Sequence, residues 1–116
     1  MKRMREKIIG IFKSSNKKKK YMAIVKGADG ESLPKVEAAP RSQRVLHFGA
    51  SDYEQYKDRT PLKLYSSKNH YDKKRQMNYY SRHSKGIKNR KSAIEYEIEK
   101  SNGYYNSKIL SHIFLW

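Results

Sequence analysis

Two short runs, Tyr21-Met22-Ala23-Ile24-Val25 and Arg44-Val45-Leu46-His47-Phe48, constrain this chain more than any other feature. Both are rich in β-branched and aromatic residues, as strands are. In the first, Tyr21, Ala23 and Val25 share one face and Met22 and Ile24 the other, so a covered strand is expected. The second stops at Gly49-Ala50, and Ser51 opens a polar, Tyr-rich segment. Ser51 and Glu54 have capping-box spacing, in which each side chain satisfies a free backbone N–H at a helix start. The stretch from His47 to Tyr53 therefore predicts a strand-to-helix junction. Gly49 permits the turn, and His47 packs or hydrogen-bonds at the strand end. The two strands are expected to pair antiparallel, across a long 27–43 loop that contains Pro34 and Pro40.

Helical signals follow. Residues 51–58 read as a short helix or turn, and Thr60-Pro61 resembles an N-cap followed by proline at the first helical position. Residues 69–83 read as a helix with Tyr71, Arg75, Asn78, Tyr79 and Arg82 on one side, Asp72 pairing with Arg75, and Gly86 ending it. Ser92-Ala93-Ile94-Glu95 repeats the capping-box spacing and predicts a helix to about Lys100. After Asn102-Gly103, a final helix is expected with Tyr105, Ile109, Ile113 and Trp116 on one face. Upstream, Met1, Met4, Ile8 and Ile11 have helical spacing among basic residues, which predicts a short amphipathic helix. Too short to be stable alone, it would form on docking. Ser14-Ser15-Asn16 and Lys17-Lys18-Lys19-Lys20 then read as a solvated linker. The expected organisation is a basic arm and linker over 1–18 and a small α+β domain over 19–116, a two-stranded antiparallel ribbon packed on about three short helices.

Charge is unevenly distributed. Residues 1–20 hold nine Lys and Arg against one acid, and residues 41–91 hold fourteen against four, within a total of +16. Two basic blocks thus flank a near-neutral spacer, a pattern that favours polyanions or acidic protein surfaces. The absence of cysteine excludes disulfides, thiolate metal sites and a cysteine nucleophile. No run of about 18 apolar residues occurs, as a membrane-spanning helix would need. The run Ile8-Ile9-Gly10-Ile11-Phe12 is too short for a secretory signal.

Little in the sequence points to catalysis. His47, His70, His83 and His112 show none of the close spacing typical of metal ligands, and ordinary structural or surface roles fit them better. Ser51, His83 and Asp58 can be drawn as a triad, but no nucleophile elbow or oxyanion loop accompanies them. Glu95, Glu97 and Glu99 alternate along a predicted helix and read as a solvated face. Gly27-x-x-Gly30 is too short for a phosphate loop. The strongest signal is basic and aromatic: Lys73, Lys74, Arg75, Arg82, Lys85, Lys88, Arg90 and Lys91 surround Tyr79 and Tyr80. Such cations neutralise phosphates and tyrosines stack on unpaired bases. The plainer alternative is that Tyr79 packs in the core while the lysines solvate the surface. A third is docking against an acidic protein lattice. The terminal aromatics Tyr104, Tyr105, Phe114 and Trp116 read as core before anchor.

A resemblance joins several of these segments. Lys20-Tyr21-Met22-Ala23-Ile24-Val25, then His47-Phe48-Gly49-Ala50-Ser51-x-Tyr53-x-x-Tyr56, then Arg75-x-x-x-Tyr79-x-x-Arg82-His83, then Gly103-Tyr104-Tyr105-x-Ser107 with Leu115-Trp116, resemble a family of short basic proteins of large nucleocytoplasmic DNA viruses of algae and protists. The resemblance spans roughly residues 19–116. It implies a viral origin and a virion location after synthesis in the host cytoplasm, and no known chemistry.

The expectation is a non-enzymatic structural protein of a large virus particle, a minor capsid or internal component without cofactor or metal. Met1, Met4, Ile8 and Ile11 would dock the arm. Lys17 to Lys20, Lys73, Lys74, Arg75, Arg82, Lys88, Arg90 and Lys91 would bridge capsid or other virion proteins. His47, Phe48, Gly49, Ser51, Tyr53, Tyr79, His83 and Trp116 would form the structural motif. The rival is a virion nucleic-acid-binding protein that contacts the genome electrostatically. Contact of the arm with an inner membrane surface is the third reading.

Overall fold

A computed structural model describes residues 4–27 and 43–116. Three strands, β1 (Glu6–Lys13), β2 (Lys19–Gly27) and β3 (Gln43–Ala50), form an antiparallel sheet in the order β1-β2-β3. Three helices follow: α1 (Lys73–His83), α2 (Arg90–Lys100) and α3 (Ser107–Phe114). The class is α+β, and β2 and β3 pair as expected, with Tyr21 opposite Phe48 and Ala23 opposite Leu46. Met1 and most of the loop expected over 27–43 lie outside the described residues.

The first correction concerns the N-terminal segment. Glu6–Lys13 is a third strand, not part of an amphipathic helix on an arm. A bulge between Ile8 and Gly10 puts Ile8 opposite Val25 and Ile11 opposite Ala23. Both isoleucines therefore reach the core face although they stand three residues apart, because the bulge adds one residue to the strand. The linker is a hairpin loop. Asn16 closes it with its own side chain, accepting from the Lys18 N–H at 2.9 Å, while its carbonyl accepts from the Lys19 N–H at 2.9 Å. A buried ion pair fixes β1 further. Arg44 donates through Nε and Nη2 to the two Glu6 oxygens at 2.8 and 2.7 Å, and the Tyr105 N–H donates to Glu6 at 2.7 Å.

Tyr21, Ala23, Phe48, Leu110 and Leu115 form the core, with Ile8, Ile11, Leu46, Tyr65 and Phe114 packed around it. Complete burial of each large side chain contributes roughly 1.5–3 kcal/mol. Phe114 and Trp116 thus meet the core as expected. α3 packs on β3, and α2 on α3.

Helix starts differ from the expectation in detail. Asp72 caps α1, accepting from the Lys74 and Arg75 N–H groups instead of pairing with the Arg75 guanidinium. Gly86, at φ +81°, closes its C-terminus with an N–H bond to Ser81 O. Asn89, not Ser92, caps α2, and Asn106 caps α3. Residues 51–65 contain turns and no helix. Ser51 Oγ donates to Lys17 O at 2.9 Å, so it fastens the β1–β2 hairpin and caps nothing. Thr60 likewise starts no helix; its hydroxyl donates to Asp58 at 2.6 Å. The buried Asp58 carboxylate also accepts from Tyr21 Oη at 2.5 Å and the Tyr65 N–H at 3.2 Å, which organises this loop.

Candidate nucleic-acid interface

The fold gathers distant segments around one cavity of about 720 Å³. Lys19 and Lys20 come from the start of β2, and Gly49, Ala50, Tyr53 and Glu54 from the end of β3 and the turn beyond it. Helix α1 adds Arg75, Asn78, Tyr79, Arg82 and His83, and the C-terminal segment adds Lys108, Leu115 and Trp116. The spacing of Arg75, Asn78, Tyr79 and Arg82 is that of one helix face, as the sequence predicts. Five basic side chains and one acidic side chain line the space. The two basic blocks thus share one concavity, although a near-neutral spacer divides them in sequence.

Gly49 makes this junction possible. Its φ is +79°, and a Cβ there would stand 2.6 Å from Leu115 Cδ1. A larger residue would be strained at this φ and would push the Leu115 side chain aside. His47 contacts the same end of the sheet through Ser14 Oγ at 2.7 Å, and its carbonyl accepts from Ser107 Oγ at 2.6 Å.

The aromatic residues divide into anchored and open rings. Tyr79 stacks on Trp116 with centroids 4.2 Å apart and planes 4° apart, and lies 4.5 Å from His83. Tyr80 is fully buried and donates to His112 O at 3.0 Å, so it cannot stack on a base as expected. Tyr53, 72% exposed, is the open ring of the cavity wall.

Behind α1 lies a chain of hydrogen bonds. Ser84 Oγ donates to Glu97 at 3.0 Å and meets His112 Nε2 at 2.7 Å, while Tyr79 Oη meets His112 Nδ1 at 3.0 Å. Because Ser84 has one proton, it accepts from His112 Nε2–H, and Nδ1 accepts from Tyr79. Burial, with nearby His83, Lys108 and Arg90, pushes His112 down to about 4 and keeps it neutral. Ser84 and His112 are fully buried, so this cluster holds the cavity-lining Tyr79 from behind. Ser51, His83 and Asp58 each serve other partners. No group of three or more His, Asp or Glu among the described residues is placed to hold a metal ion.

Lys20 is the most buried cation among the described residues. It is 1% exposed, and its ammonium donates to Tyr53 O at 2.5 Å. Burial and nearby Lys68 push it down to about 8, partly opposed by Asp58. At the rim Arg75 donates to Glu54 at 2.8 Å; this hydrogen bond and charge hold Glu54 below its usual range.

Other expected contact residues are spread more widely. Lys17, Lys18, Lys73, Lys74, Lys88 and Lys91 are exposed and lie outside the cavity lining. Arg90 is half-buried and donates to Ile113 O at 2.8 Å. Ile8 and Ile11 pack on the core and are not free to dock a partner. The membrane reading loses the amphipathic helix it required. None of the described helices is long and apolar enough to cross a membrane. The cavity itself is absent from the sequence expectation, which placed its Gly49, Tyr53, Tyr79, His83 and Trp116 in a structural motif and weighed Tyr79 also as a base-stacking ring. The helix-face spacing from Arg75 to Arg82 was the available signal.

Comparison with protein-family models, curated proteins and solved structures finds no match to this chain.

Proposed function

We propose that this chain is a non-enzymatic, nucleic-acid-contacting component of a large DNA virus particle, which holds the genome through its cavity face. One observation carries the reading: both basic blocks contribute cations to one aromatic-lined concavity. Phosphates supply the complementary charge, and counterion release would drive association. The viral setting follows from the sequence resemblance alone. Contact is mainly electrostatic, and the aromatic ring adds a preference for unpaired strands.

The test is a titration of labelled random single-stranded and duplex DNA across a salt series, read by fluorescence anisotropy. Binding that weakens steeply with salt is expected for both, with the single strand favoured. Failure to bind either at low salt would overturn the proposal.

Bridging of capsid or other virion proteins is the second reading, favoured by Ile9 and Phe12, each 47% exposed on edge strand β1. These two replace Ile8 and Ile11 as its apolar contacts. If it holds, I9S/F12S abolishes retention on purified particles and leaves DNA binding unchanged; retention by the double variant contradicts it.

A further inference from the structure

Building on that polyanion reading, we infer that the cavity seats one unpaired nucleotide, its phosphate against Arg75 and Arg82 with the buried Lys20 charge behind, and its base on the Tyr53 ring. A volume of about 720 Å³ suits a small-molecule ligand more than the rod-like surface of a duplex. A backbone-only binder needs no concavity, since duplex phosphates are met equally well by a flat basic surface.

Lys20 supplies the first argument. Three N–H donors sit on a side chain that is almost fully withdrawn from water, and Tyr53 O is its hydrogen-bond acceptor among the described residues. The ammonium also faces the Tyr65 ring, 6.0 Å from its centroid, so a fixed positive charge sits just behind the cavity wall. A phosphate in the cavity would bring acceptors to Arg75 and Arg82 and the opposite charge to the buried cation behind them. Burial first and the Lys68 charge second depress the proton affinity of Lys20, against the opposing charge of Asp58.

Tyr53 supplies the second. Its backbone is fixed twice, by its N–H to Ala50 O at 3.2 Å and by its carbonyl to Lys20, while its ring stays exposed. The buried cation and the exposed ring are therefore joined through one hydrogen bond. Tyr79 and Trp116 are stacked on each other and form the floor.

Glu54 supplies the third. Its carboxylate occupies Arg75 at 2.8 Å on the exposed rim, where an incoming phosphate would compete for the same guanidinium. Removing the acid frees the cation, so Glu54→Gln should tighten binding.

Trp116 is the chain's single tryptophan and lines the cavity, so its fluorescence reports occupancy. The titrants are thymidine monophosphate, thymidine oligomers of increasing length, and linear polyphosphate of matched charge. The oligomer is expected to bind at least about ten-fold tighter than polyphosphate, near the low end of what stacking one base contributes. Tyr53→Ala should erase that margin without changing polyphosphate affinity, Tyr53→Trp should retain it, and circular dichroism should show both variants folded. A mononucleotide that displaces the oligomer identifies a free nucleotide as sufficient; an oligomer that resists it identifies a nucleotide within a strand. Equal affinity for oligomer and polyphosphate, unmoved by Tyr53→Ala, overturns the inference and leaves the polyanion reading standing. Absence of binding by every titrant at low salt overturns both.

Discussion

The Lys20 ammonium donates to the backbone carbonyl of Tyr53 at 2.5 Å, which ties the first basic block to the turn after β3. A cation held this way titrates inside an accessible range. Its affinity for a proton is pushed from 10.5 down to about 8, mainly by burial. Oligonucleotide affinity should therefore fall as pH rises from 7 to 9.5, with the midpoint at or above 8 because a bound phosphate favours the charged form. Lys20→Met should bind more weakly and show a flatter profile. Stability moves the other way. Between about 8 and 10.5 the unfolded chain keeps a proton that the folded chain has released, so this group makes folding more favourable as pH rises through that window. Equilibrium denaturation of both proteins at pH 7.5 and 10 checks the sign.

His112 gives a second pH signature. Its folded value lies near 4 against 6.5 in the open chain. Between those values the unfolded state binds a proton that the buried imidazole refuses, so stability is lost as pH falls from about 6.5 toward 4. At about 1.4 kcal/mol per unit, the loss across the window is roughly 3 kcal/mol. His112→Asn should start less stable and lose less over the same range, measured as the slope of unfolding free energy against pH.

The buried Glu6–Arg44 pair decides whether β1 is an integral strand. Removing one partner of such a pair leaves an uncompensated buried charge and costs about 3–5 kcal/mol. Glu6→Ala should consume much of the stability typical of a domain this size. Deleting residues 1–13 should abolish cooperative unfolding. A truncated chain that melts like the intact one would restore the arm.

Backbone positions around the site separate cap from cradle. Gly49→Ala forces a side chain into positive φ and against Leu115, and should cost about 1–3 kcal/mol. Ser51→Ala should cost about 1 kcal/mol or less, since it loses one exposed hydrogen bond and no helix cap. Asn89→Ala should cost about 1 kcal/mol and Ser92→Ala close to nothing, because Asn89 is the α2 cap. Chemical denaturation ranks all four.

The strands at 21–25 and 45–48 and helices α1 and α3 were legible from their periodicity, whereas α2 was placed by a capping-box spacing at Ser92 although Asn89 is its cap. β1 was not legible. Its bulge puts Ile8 and Ile11 on one face at a three-residue spacing, which imitates a helix, and only the β-branched run Ile8-Ile9 with Ile11-Phe12 argued otherwise. Ser51 and Glu54 kept capping-box spacing while their side chains found Lys17 and Arg75 instead. The cavity was hidden for a different reason. Lys20, Tyr53, Arg82 and Trp116 are far apart in sequence, and neither composition nor spacing reports that convergence.

The central claim is that the two basic blocks act as one site. Its most direct test is the slope of log affinity against log salt for a thymidine oligomer, in the intact protein and in charge-removed variants. Lys19→Gln and Arg82→Gln, one from each block and both in the cavity lining, should each reduce the slope by about 0.7, the value for one single-strand phosphate contact. Lys88→Gln and Lys91→Gln, outside the cavity, should leave it unchanged. Equal reductions from all four substitutions would mean diffuse attraction by net charge alone and would contradict the account.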